Sequence, residues 1–484
     1  MESKLLYDQE LLCKIVRMSG NAQGCAGACR KLLNAVLRSS CESSVEPSHR
    51  TNCFCQTCTA EQCPTRLTKL TLHVKRDCPR FYRSWFEDWS QRLRQVKDTL
   101  ALHLVMEDGD GAETRAVSMR DSKGPPTVHM LQWVLNGVEE AVHAITVRRI
   151  QNSVLFSRPN GNGGRGIEDF FSGLSNLQSL NLSGALKGLS MDTDPQLQLC
   201  LIALPQLQAL DLSRNGLVGA NISALHDAWA QLTRLRSLNL GFNTLRTDAA
   251  QSVAYALSKL SKLTYLDLAD SSLFYSGGGG SDDYDAEFGE GFNVDSDLQE
   301  SCCLLSFALG NLEELKALDM SYSEFTDTGG LSAFASALVS STALEHLSLD
   351  KLRTDTGYER TGAQVLFPAL RSMTGLQHLS WVKCPGDSYN DEYCHFASTL
   401  EGLKGLRCLD LSKGHLWNQR SPLSIALQTL TGLEYLNVSK TNIHYTEENE
   451  EDCYHDYGYQ DLQAVTEVTS SYKQLQRFQP SIRR

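Results

Sequence analysis

The 484 residues carry 57 acids and 45 bases, a formal charge of -12, with 41% hydrophobic and 21% charged residues. That apolar content is enough for a continuous core and excludes wholesale disorder, while the acidic balance disfavours a nucleic-acid backbone as the main ligand. No stretch reaches the roughly 18 apolar residues of a spanning helix, and MESKLLYDQE lacks a basic segment leading into an apolar one, so no membrane contact and a cytoplasmic or nuclear location are expected.

Residues 1–45 open the chain with two apolar stripes at helical spacing. Leu11, Leu12, Ile15, Val16 and Met18 make the first, and Cys25, Ala28, Cys29, Leu32, Leu33 and Val36 the second, with Gly20 and Gly24 bracketing the turn. So small a helical hairpin buries too little to stand alone; it is expected to cap the rest of the chain, to dock on another protein, or both. Residues 46–65 follow as a cysteine-rich linker. Cys53, Cys55, Cys58 and Cys63 form C-x-C-x2-C-x4-C, a set of thiols that could hold zinc tetrahedrally. The spacing is not that of a common finger and no second pair follows, so free thiols, with no metal and no cofactor, are the expectation.

Across 66–175 the segments LTKLTLHV (from Leu67), LALHLVM (from Leu100) and VHAITVRRI (from Val142) alternate as strands do. Between the first two, Phe81, Trp85, Trp89 and Leu93 share a helix face and read as core. Residues 106–127 form a polar insertion ending in Gly-Pro-Pro. GNGGRG (161–166) fits G-x-G-x-x-G, but the strand after it belongs to a different unit, so it reads as a turn. The signatures G-x-x-x-x-G-K-[ST], H-E-x-x-H and G-x-S-x-G are absent, and no enzymatic activity is expected.

From residue 176 to 445 one phrase, LxxLxLxxNxL, recurs nine times, at Leu177, Leu207, Leu235, Leu263, Leu315, Leu344, Leu376, Leu406 and Leu433. Apart from one step of 52 residues, the steps are 27–32 residues, the period of a leucine-rich repeat. The fourth and sixth positions, such as Leu210 and Leu212, are expected to point inward, and Ala209, Asp211 and Ser213 outward. Between strands, DAAQSVAYALSKL (248–260) places Ala250, Val253, Ala254, Leu257 and Leu260 at helical spacing. A strand plus a full helix in each unit resembles the ribonuclease-inhibitor-like leucine-rich repeats. The resemblance implies an α/β fold: a curved solenoid with short parallel strands on its concave side and helices on its convex side. The upstream strands 66–175 read as degenerate copies. The 52-residue step holds a Gly-rich acidic insertion, 276–297, expected to be a flexible loop, and 446–484 an acidic tail or cap.

A solenoid of this kind binds on its concave side, so the outward columns are the candidate site. The fifth-position column includes Asp211, Asp267, Asp319 and Asp410 and contains no base; Asp and Asn there also suit a solvated face. In the third-position column Tyr265, His346, His378 and Tyr435 interrupt small residues, and such amphipathic rings suit protein contacts.

YDQELLCKIVRM followed by ACRKLLNAV resembles an F-box. Glu10, Leu11, Leu12 and Ile15 match its first part, and Cys29, Arg30 and Lys31 its second; Tyr7-Asp8 replace the usual Leu-Pro, and Leu32 a common tryptophan. The resemblance implies that this segment, Leu32 included, docks on a Skp-type cullin adaptor, while the repeats hold a substrate protein for ubiquitin ligation. A scaffold subunit of a larger assembly and a small-GTPase-activating protein are the alternatives.

Overall fold

A leucine phrase of this kind makes a strand only three residues long, because the polar residues that follow its sixth position turn the chain. The computed structural model describes residues 42–45, 69–75, 94, 101–107, 137, 139–148, 171–186, 196–246, 249–274, 296–325, 328–353, 362–382, 392–413, 422–439 and 477–479. The chain divides into two units, 1–211 and 212–484.

In the first unit the strands are β1 (Glu42–Val45), β2 (Lys69–Lys75), β3 (Ala101–Glu107), β4 (Val142–Arg148), β5 (Ser179–Asn181) and β6 (Ala209–Asp211), each parallel to the next. The upstream strands thus continue the same parallel ladder. They are longer than the regular ones, at seven residues each. Leu102 and Leu104, and Ile145 and Val147, are buried with a period of two, while Val142 is buried out of that period where the register between β3 and β4 shifts. β1 corrects the N-terminal boundary: residues 42–45, assigned above to the helical hairpin, extend the sheet instead. Helix α1 (Gln196–Ile202) precedes β6 and buries Leu197, Cys200 and Leu201.

The second unit runs β7 (Ser237–Asn239), β8 (Tyr265–Asp267), β9 (Ala317–Asp319), β10 (His346–Ser348), β11 (His378–Ser380), β12 (Cys408–Asp410), β13 (Tyr435–Asn437) and β14 (Arg477–Gln479), again parallel and in sequential order. Its helices are α2 (Gly219–Ala224), α3 (His226–Gln231), α4 (Ala250–Lys259), α5 (Ser296–Gly310), α6 (Thr328–Ser340), α7 (Phe367–Ser372), α8 (Glu392–Gly402) and α9 (Pro422–Thr429). α4 lies in the 248–260 segment and buries Ala250, Val253, Ala254 and Leu257, as expected. One parallel strand per phrase with helical returns is the α/β leucine-rich-repeat solenoid. At the other end β14 adds a strand to the ladder from within 446–484, the segment read as an acidic tail or cap.

The 52-residue step leaves the register untouched. Tyr265, Leu266 and Asp267 of β8 pair with Ala317, Leu318 and Asp319 of β9. Beside this junction Phe274, Phe325 and Phe334 close a buried aromatic cluster, with centroid distances of 4.4, 5.4 and 5.9 Å. Such rings bring large buried area together with offset or tilted contacts. Both insertions are shorter than read: residues 106–107 end β3 and residues 296–297 open α5, while 108–127, 276–295, the Phe81–Leu93 stripe and GNGGRG lie outside the described residues.

Burial confirms the inward leucines: Leu212, Leu238, Leu240, Leu266 and Leu268 are fully buried. Ser213 is a correction, because it is 5% exposed rather than outward-facing. The alternation holds only while the backbone stays extended, and at the seventh position the turn carries the side chain inward; Ala269, Ser321 and Ser412 are buried in the same way. Polar groups in this turn are satisfied internally. Asn243 Nδ2 donates to the carbonyls of Leu212 and Leu240, and its Oδ1 accepts from the N–H groups of Asn215 and Leu217, so one buried amide links two repeats.

Leu212→Ala and Leu240→Ala are expected to destabilise the protein by about 2–5 kcal/mol each, since each leaves a cavity in a close-packed layer. The exposed Lys262→Ala should leave the urea midpoint nearly unchanged. Equal midpoints for all three variants would remove the sixth position from the core.

Candidate functional site

In-register pairing of the second unit's strands lines up their third positions. From β8 to β13 the row reads Tyr265, Ala317, His346, His378, Cys408 and Tyr435. Tyr265 is 38% exposed, His346 is exposed, and His378, Cys408 and Tyr435 are half-buried. The two imidazoles stack, with centroids 4.0 Å apart and planes 15° apart. All four rings picked from the sequence therefore share one row, and Cys408, passed over in the sequence, completes it.

A charged row runs alongside at the second position of the phrase. Lys316 Nζ donates to Glu345 Oε1 at 2.9 Å, and Arg407 lies 3.6 Å from Glu434. The alternation of sign was legible in the sequence but became pairs only through register. The Lys316 hydrogen bond and charge hold the Glu345 carboxyl below its ordinary range. His378 is also pushed down, first by burial, then by the neighbouring His346 and Arg407, against the opposing pull of Glu434 and Glu345. Burial and the Glu434 charge push the Cys408 thiol up, with Arg407 pulling the other way. An amphipathic row beside self-neutralised charges has the make-up of a protein interface with a polar rim.

The fifth-position acids do something different. Oδ1 of Asp267, Asp319 and Asp410 accepts the N–H two residues on, at Ala269, Ser321 and Ser412. Such a bond closes an Asx turn and ends the strand. Asp267 is buried, and its carboxylate fits because Gly241 has no Cβ; one would come within 2.7 Å of it. Asp211, in the first unit, accepts from Asn181 Nδ2 at 2.9 Å.

Where the fifth residue is serine, the preceding repeat supplies the cap. Asp350 Oδ1 accepts from Ser380 Oγ at 2.6 Å and from the Val382 N–H at 2.9 Å, and Ser321 Oγ accepts from the Asp350 N–H. Burial raises the Asp350 pKa against those hydrogen bonds. This acid column thus shapes the backbone beneath the aromatic row.

Glu10, Leu11, Leu12, Ile15, Cys29 and Leu32 lie outside the described residues, as do Cys53, Cys55, Cys58 and Cys63. Among the described residues no group of three or more His, Cys, Asp or Glu side chains could hold a metal ion, and no helix is long and apolar enough to cross a membrane.

His378 titrates less readily folded than unfolded, so the unfolded chain binds more protons below the ordinary imidazole value. Stability is fully present above about pH 6.5 and falls as pH drops through the depressed folded value. Denaturation midpoints at about pH 7.5 and 5.5 should differ less for His378→Gln than for the wild type. An identical difference in both proteins would show that the stacked pair does not resist protonation.

No protein-family model matches the chain. Among solved structures it is similar to TLR13, in a complex with ssRNA13, at 13% identity and a TM-score of 0.37, over 84% of this chain and 52% of that one. It therefore spans about half the length of that TLR13 chain. It is also similar to the leucine-rich repeat-containing protein LegL7 from Legionella pneumophila, at 15% identity and a TM-score of 0.35, over 73% of this chain and 96% of that one. The chain's own nine phrases, each folded into one parallel strand, make it a leucine-rich-repeat protein.

Proposed function

We propose that this chain is a non-enzymatic protein-binding module that holds a partner protein on the strand face of its second unit. The observation that carries the reading is the in-register run of His346, His378, Cys408 and Tyr435, with Tyr265 one strand beyond Ala317, presented by parallel strands and edged by the Lys316–Glu345 and Arg407–Glu434 pairs. Aromatic and imidazole side chains offer large contact area with few rotatable bonds. The aspartates of the neighbouring column are engaged in turns and act as supports.

Joined to the F-box-like segment at residues 10–36, this face suits the substrate receptor of a Skp/cullin ubiquitin ligase: the N-terminal segment docks on the adaptor and the strand row holds the substrate. A scaffold subunit would use the same row without the adaptor, and stimulation of a small GTPase is the third reading.

Affinity capture with the full chain tests the row. Tyr265→Ala, His346→Ala, His378→Ala and Tyr435→Ala combined should reduce recovery of the captured partner by roughly tenfold or more, with the thermal midpoint changed little. Full recovery by the quadruple variant would move the interface elsewhere.

Co-purification with a Skp-type adaptor tests the N-terminal segment. The wild type should retain the adaptor, and Leu11→Asp with Ile15→Asp should lose it, because carboxylates buried in an apolar contact cost several kcal/mol. If the wild type retains no adaptor, the ligase reading fails and the scaffold reading takes its place.

A further inference from the structure

Beyond the strand row, the turn that follows each strand carries a second row, at the eighth position of the phrase. Its described members in the second unit are Arg214, Phe242, Asp270, Tyr322, Lys351 and Lys413, and all six have positive φ, between 50° and 61°. The reason is a hydrogen-bond ladder continuing past the strands: the N–H at each position donates to a carbonyl of the next repeat, as Arg214 does to Gly241, Tyr322 to Asp350 and Lys413 to Ser439. Left-handed backbone costs an ordinary L-residue roughly 1–2 kcal/mol and favours Gly, Asn or Asp. Only Asp270 is such a residue. Long cationic and aromatic side chains stand where the backbone alone would select glycine, and backbone strain of this kind clusters at functional positions.

These side chains also organise one another. The Arg214 guanidinium lies 4.0 Å from the Phe242 ring centroid, and the Phe242 and Tyr322 rings meet at 6.1 Å. Lys351 Nζ sits 4.1 Å over the Tyr322 ring and donates to its hydroxyl at 2.9 Å. Arg214, Asp270, Tyr322 and Lys413 are exposed, and Phe242 and Lys351 half-buried. Cations pinned on ring faces lose less side-chain freedom when they bind an anion. The same pinning covers ring faces that nucleobases would need for stacking, which favours carboxylates over a nucleic acid as the anion.

We infer that the Arg214–Phe242–Tyr322–Lys351–Lys413 ridge is a docking surface for an acidic segment of a partner protein, its carboxylates set against cations carried on neighbouring repeats. One acid, Asp270, interrupts the ridge, so the contact favours carboxylates clustered at its two ends. This surface is separate from the strand-face row, and its test does not depend on that row.

The probe is a fluorescein-labelled peptide of alternating glutamate and serine, roughly ten residues long, which at about 3.4 Å per residue runs the length of the ridge. Anisotropy titrations with the full chain should show saturable binding that weakens as salt rises from about 50 to about 300 mM. Lys351→Gln with Lys413→Gln should bind roughly three- to tenfold more weakly. Lys262→Gln with Lys404→Gln makes the same change in charge at exposed sites just before the leucine phrases and should bind like the wild type. Melting curves verify folding, and if the ridge pair lowers the midpoint, the exposed Lys413→Gln alone must still weaken binding. Absence of saturable binding by the wild type, or equal losses in the two pairs, overturns the inference. So does tighter binding of an oligouridylate of similar length that is lost in the ridge variant, which would assign the ridge to nucleic acid.

Discussion

A single repeat of this chain cannot bury its own leucines. Leu266 and Leu268 are shielded from water because the repeats on either side stack against theirs, and those repeats are held in place by parallel backbone bonds. This stacking in register is the constraint on which the rest depends. It fixes the spacing of the side chains on the open face of the second unit, and it turns a recurring position in the sequence into a row in space. A one-residue slip would exchange the inward and outward residues, so burying the leucines and composing the aromatic row are the same structural event.

The register is secured at the strand ends by polar chemistry. The carboxylates of Asp267, Asp319 and Asp410 close the turns of their own repeats, while Asn243 and Asp350 bind neighbouring ones. Ser380 in place of an Asp or Asn would leave the Val382 N–H without its local cap, and Asp350 supplies one from the preceding repeat. Substitution within the repeat is tolerated where a neighbour can satisfy the orphaned donor, because an unsatisfied buried N–H costs about 1–3 kcal/mol. The turns that result force the eighth residue into left-handed backbone and aim Arg214, Tyr322, Lys351 and Lys413 outward.

Two surfaces of different chemistry therefore arise from one unit. The third position carries rings and a thiol beside paired charges, suited to a wide protein contact. The eighth carries cations pinned by aromatic faces, suited to carboxylates.

The sequence by itself determined the repeat, the inward leucines and the membership of the aromatic row, because these follow from periodicity within a few consecutive residues. The lysines at position eight were equally legible: Lys351, Lys383, Lys413 and Lys440 recur in four successive phrases. Only the tertiary structure decided that Ser213 turns inward, that residues 42–45 and 477–479 join the ladder, that the two histidines stack and that Asp350 caps a turn it does not belong to. The outcomes at the serine, the histidines and Asp350 depend on where a strand stops and on partners about 30 residues away in the chain, brought to one strand spacing by stacking. Local pattern specifies which faces exist, whereas the contacts across repeats are chosen by the side chains that happen to meet there.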